Sequence, residues 1–179
     1  MKKIVTIILL TAISSAYAQV IIGDTSGTAA DKTSVLLEFA LANKGIIVPY
    51  VQSLPTGSAL VGGAIILDSS TPTDARMKYY NGTTWVDLSG QAGDVTAALA
   101  TQPPTSVSET DAKAIIGATS STADGVLVLE SNTKAMVLPT VENVQNIPSP
   151  SPGMMVYINK QGAKRLAVYN GSKWSYWKP

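Results

Sequence analysis

The chain has 179 residues and contains neither histidine nor cysteine. Those absences remove the usual general base, the Ser-His-Asp triad, the preferred ligands of zinc and transition metals, and any disulfide. Thirteen basic side chains stand against twelve acidic ones, so no charge excess draws nucleic acid, and neither a cofactor nor a metal is expected.

The first residues are Met1-Lys2-Lys3, an apolar run over 4–13, and Ser14-Ser15-Ala16-Tyr17-Ala18. A positive stretch, a short apolar stretch and a small-x-small site form the pattern of a secretory signal peptide over 1–18, cleaved after Ala18. The apolar run falls short of the roughly 20 residues a spanning helix needs. The expected product begins at Gln19, is secreted to the extracellular space or cell surface, and keeps no membrane span. Without Lys2 and Lys3 it carries eleven basic and twelve acidic side chains. With no disulfide available outside the cell, its stability has to come from packing, including packing between subunits.

Taken in order, a Thr/Ser/Gly/Ala stretch up to Lys32 reads as loop, and 33–39 as a strand with Val35, Leu36 and Leu37 buried. A second strand over 44–51 is interrupted at Pro49, which has no N–H for a ladder. After a loop over 52–60, a strand over 62–68, a turn over 69–74, and strands at 76–80 and 83–88 make a three-stranded meander. The sequence then changes character. Ser89-Gly90-Gln91-Ala92-Gly93 is a flexible break and Gln102-Pro103-Pro104-Thr105 a stiff one, with a short helical turn or extended segment over 94–100 between them. Ser108-Glu109-Thr110-Asp111 has capping-box spacing before 112–116, which reads either as a short helix ending at Gly117 or as surface linker.

The pattern then restarts. Ile116-Gly117 repeats Ile22-Gly23, and 126–130 repeats Val35-Leu36-Leu37-Glu38 with a small shift. Residues 134–141 repeat 44–51, residues 153–157 repeat 63–67, and Tyr169-Asn170-Gly171-Ser172-Lys173-Trp174 repeats Tyr80-Asn81-Gly82-Thr83-Thr84-Trp85. Ordered matches at one period mark an internal duplication.

Asn-Gly between strand-forming runs signals a hairpin with a two-residue type I′ turn, where both central residues take positive φ. That turn pairs Tyr80 with Thr83, Lys78 with Trp85 and Arg76 with Asp87 on one face. In the second copy it groups Tyr169, Ala167 and Arg165 with Ser172, Trp174 and Tyr176. Each copy thus sets a Tyr diagonal to a Trp. In so small a module this pair serves first as core; the sharper reading is an exposed platform for sugar rings or a neighbouring subunit. The candidate contact residues are Tyr80, Trp85, Tyr169, Trp174, Tyr176 and Trp177. Glu38 and Glu130 are repeat-equivalent carboxylates, and plain strand neighbours make them solvated or hydrogen-bonded strand ends in preference to an acid/base pair. Both Asn-Gly-Thr/Ser triplets fit the glycosylation sequon, but the turn already accounts for them. No catalytic, cofactor or metal residue is assigned.

The run Val-Leu-Leu-Glu, then Asn43-Lys44-Gly45-Ile46-Ile47-Val48-Pro49, a Gly-led strand and the Tyr-Asn-Gly-x-x-Trp element resembles a repeat of exported Bacteroidetes surface proteins. A similar repeat occurs in phage tail-fibre-like proteins, and the second copy fits better than the first. Where the repeat commonly has Arg after the Pro, this chain has Tyr50 and Thr140. The resemblance implies β-rich shaft or head modules with a structural or adhesive role, self-associating in the fibre proteins as trimers.

The expected architecture is mainly β, with two tandem small β-meander modules over 19–90 and 116–179. A Pro/Ala-rich linker over 91–115, with at most a short helix, joins them. The expected function is a secreted structural or adhesive surface protein or fibre component that acts by assembly and binding, not as an enzyme. The alternative is a carbohydrate-binding surface protein that stacks sugars or another cell-surface glycan on its Tyr/Trp faces.

Overall fold

Short β-branched and aromatic runs, punctuated by Gly, Pro and Asn-Gly, give a chain that is mainly β. The computed structural model describes residues 19–27, 29–40, 44–102 and 113–177. The signal segment over 1–18, the Pro103-Pro104 break and the capping box at 108–111 lie outside the described residues.

The first half holds β1 (Val20–Ile22), β2 (Val35–Phe39), β3 (Ile46–Ile47), β4 (Tyr50–Val51), β5 (Ile65–Asp68), β6 (Arg76–Tyr80) and β7 (Trp85–Asp87). The second half repeats them as β8 (Ala114–Ile116), β9 (Leu127–Leu129), β10 (Ala135–Val137), β11 (Thr140–Val141), β12 (Met154–Ile158), β13 (Arg165–Tyr169) and β14 (Trp174–Trp177). A one-turn helix, Thr96–Leu99, stands between the halves, where a short helical turn was one of two expectations. The helical alternative for 112–116 is overturned. Ala114–Ile116 is a strand because it finds a parallel ladder with β9, through Ala114 N–H to Val126 O at 2.9 Å and Glu130 N–H to Ile116 O at 2.8 Å.

Each half contains a four-stranded sheet of the same order, β4-β5-β6-β7 and β11-β12-β13-β14. The expected meander of three strands gains a fourth, parallel strand from the residues after Pro49 or Pro139. Both prolines split a strand in two, as a residue without an N–H does. Their carbonyls still accept, from Leu67 N–H and from Tyr157 N–H, each at 2.9 Å.

The hairpins correct the expected register. Tyr80 lies opposite Trp85 and Tyr169 opposite Trp174, so the loops hold four residues, not two. Gly82 and Gly171 take positive φ, 96° and 104°, but the preceding asparagines do not. Asn contributes through its side chain: Asn81 Oδ1 accepts from the N–H groups of Thr83 and Thr84, both at 2.8 Å. Asn170 Oδ1 does the same for Ser172 at 3.0 Å and Lys173 at 2.9 Å. This Asx-type closure satisfies the loop donors without the left-handed conformation that a type I′ turn demands of its first residue. A slip of two residues preserves the faces, so Tyr and Trp still share one.

The two halves also share strands. β10 of the second half adds in parallel to β2 of the first, giving the sheet β1-β2-β10. β3 of the first half adds to β12 of the second, with Met154 beside Ile47 and Met155 beside Ile46. Two core clusters follow from this interlocking. Met154, Val156, Ile158 and Ala167 point to one face of the second sheet and meet Val141, Val144 and Ile147. Met155 and Val168 point to the other, where they meet Leu67, Ala75 and Met77 of the first half and Val95 of the connection.

Candidate functional site

The six candidate contact residues separate into three settings. Tyr80 and Trp85 stack at 5.3 Å between centroids, with planes tilted 52°, and both are half-buried. Trp85 Nε1 donates to Pro55 O at 3.3 Å, which ties the indole to the loop between β4 and β5. Tyr169 and Trp174 stack at 5.2 Å and 44° and pack against the Val141–Ile158 cluster. Tyr169 and Trp174 are thus an edge of the core, while Tyr80 and Trp85 are half-buried against each other.

Tyr176 and Trp177 are exposed, at 43% and 57%. As neighbours in a strand they project from opposite faces and form no joint platform. The Arg165 guanidinium lies 4.5 Å from the Tyr176 ring centroid and covers one face of it.

The carboxylates are taken up locally. Glu38 is fully buried, accepting from Ala29 N–H at 2.8 Å and from Lys32 Nζ at 2.8 Å. Glu130 accepts from the Ser121 hydroxyl. Burial pushes the Asp68 carboxyl up, but hydrogen bonds from Lys78 Nζ at 2.6 Å and from Ser70 outweigh that and hold it below the ordinary value. Asp87 is held down the same way: burial raises it, and Arg76, Ser89 and Gly90 more than compensate. Each of these groups fixes a strand end or turn. Among the described residues no three metal-capable side chains converge, and no helix is long and apolar enough to cross a membrane.

A feature that the sequence reading missed is a set of apolar strand edges. Ile22, Ile47, Val126 and Leu127 are 48%, 51%, 52% and 43% exposed, although all lie in or beside strands. Ile22, Phe39, Ile46, Ile47 and Pro139 line a shallow groove of about 300 Å³. The available signal was Val126-Leu127-Val128-Leu129, apolar on both faces in a segment with nothing in sequence to cover it.

Residues 115–178 match the family model of the phage tail like trimerisation region. The match runs from β8 to the end of β14 and so covers the second half of the chain. No curated protein and no solved structure matches the chain. The second half is thus similar to a phage tail like trimerisation region.

Proposed function

We propose that the protein is an exported structural component that assembles from three chains into a fibre-like or surface element and acts by assembly and binding, without catalysis. The likeness of residues 115–178 to a trimerisation region carries this reading. Two further observations support it. The small modules have no disulfide and leave apolar strand edges in solvent, as an element completed by partners would. Among the described residues, Glu38, Asp68 and Glu130 are each hydrogen-bonded within their own half, which suits carboxylates that fix strands and turns. Residues 1–18 direct export in this reading, and the adhesive role falls to surfaces displayed on the assembled particle.

Light scattering on the exported protein is expected to give three chains per particle. A folded particle of one chain at every concentration tested would remove the proposal. A glycan-binding role would rest on Tyr176 and Trp177, and the guanidinium over Tyr176 and the opposed directions of the two rings weigh against it.

A further inference from the structure

The two halves are sequence repeats, yet their strand edges are filled unequally. β2 is covered by β10, and Val35, Leu36, Leu37 and Glu38 are 4%, 2%, 0% and 0% exposed. Among the described residues its counterpart β9 pairs only with β8, which leaves Val126 and Leu127 in solvent. The inequality reverses on the hairpin sheets. Gly153, at the head of β12, is closed in by β3 and its continuation: Val48 N–H donates to Gly153 O at 3.1 Å, and a Cβ there would meet Tyr50 at 3.1 Å and Val48 at 3.3 Å. The equivalent Gly63 has nothing within 4 Å of that position. Gly171 is likewise covered by Val95 and Asp94, while Gly82 is open.

A rule follows from the pattern. The strand before each proline has two edges, one for the hairpin sheet of the following module and one for the parallel pair of the preceding module. Within the chain, β3 uses the first edge on β12 and β10 uses the second on β2. The remaining halves of both bonds are open: β9 and β10 on the second module, β3 and β5 on the first. These open sets are complementary.

We infer that a second copy of this chain docks head-to-tail, its β3 adding in parallel to β9 and its β5 adding antiparallel to β10. This rests on the self-association proposed above and names the surfaces that carry it. The internal pairs set the register. Ala40 N–H to Ile22 O corresponds to Glu130 N–H to Ile116 O, at 2.9 and 2.8 Å, which aligns β2 with β9 so that Glu38 matches Val128 and not, as the sequence repeat suggested, Glu130. Transposing the β2·β10 register then places Ile46 of the partner beside Leu127, and its Ile47 beside Val128. Transposing the β3·β12 register places Met136 beside Ile65 of the partner and Val137 beside its Ala64. Such an interface is heterologous: each copy offers one face and receives another, and three copies make a ring when the rotation closes. Edge pairing supplies ladder hydrogen bonds and buries the exposed Ile47, Val126 and Leu127 together.

Two charge substitutions test this, because each blocks one face. In Ile47→Lys and Leu127→Lys the altered side chains are already in solvent, so the folded chain tolerates them. Each variant alone is expected to scatter as a single chain. An equimolar mixture is expected to give a two-chain particle, since one intact face of each kind remains. Variants that keep the three-chain mass would overturn the strand edges as the interface and leave trimerisation standing. A parent of one chain would overturn both. In the parent background, which lacks cysteine, Ile47→Cys with Val128→Cys is expected to give a ladder of covalently joined chains on a non-reducing gel. A single-chain band alone would overturn the register.

Discussion

Replacing Met155 with alanine is expected to cost about 2–5 kcal/mol and to lower the unfolding transitions of both halves together. Met155 is 3% exposed and lies in the cluster where Val168 of the second sheet meets Leu67 and Met77 of the first. Its strand is also the one to which β3 adds, so the cavity would loosen a core and a ladder at once. Amide resonances of Tyr80 and Tyr169 report on the two hairpins, and both should be lost at the same urea concentration. The comparison belongs at one fixed protein concentration, because association stabilises the folded state by mass action. If Tyr169 melted early while Tyr80 kept its parental midpoint, the halves would be independent modules and the shared core would be refuted.

Substitution of Lys32 by methionine is expected to cost about 3 kcal/mol, near the lower end of what removing one partner of a buried ion pair costs. Glu38 is fully buried while the Lys32 side chain is 29% exposed, so the loss falls on the carboxylate that stays behind. Ala29 N–H continues to donate to it, which holds the effect at that end of the range. Adding Glu38→Gln to Lys32→Met should return much of the lost stability, because the buried charge that Lys32 faced is then gone. Glu130→Gln serves as the comparison. Its partner is the uncharged Ser121 and the site is partly open, so a shift within about 1 kcal/mol is expected there. Urea midpoints of the four proteins check this, and a Lys32→Met midpoint equal to the parent's would show that the pair contributes nothing.

The repeat itself was legible because a duplicated fold keeps the residues that its geometry requires. Pro49 and Pro139 stop a strand at the same point, and Gly63 and Gly153 lead the same hairpin sheet. Tyr80 and Trp85 meet across the hairpin as Tyr169 and Trp174 do. The hairpin register was misread for a physical reason. Asn-Gly serves two loop geometries, and only the reach of the Asn carboxamide to two successive N–H groups decides for the longer one. The parallel pairs β1·β2 and β8·β9 were hidden as well, since their ladders join segments that no turn connects.

What sequence could not supply was the partner of each strand. A repeat states that β2 and β9 are alike, as are β3 and β10, but not whose β10 covers whose β2. The sites followed the same division. Tyr176 and Trp177 read equally as exposed contacts or as a terminal strand docked on its own sheet, and the strand docks while both rings stay exposed; Ile47, Val126 and Leu127 looked like ordinary core residues. They are apolar and lie in or beside strands, and among the described residues one unpaired edge of each strand is what exposes them.

Amide hydrogen exchange on the assembled protein tests the completion of these edges most directly. Protection comparable to that of Val35–Phe39, which has a strand on each side, is predicted for the β9 segment Leu127–Leu129. Rapid exchange of Leu127–Leu129 within a particle of three chains would contradict it.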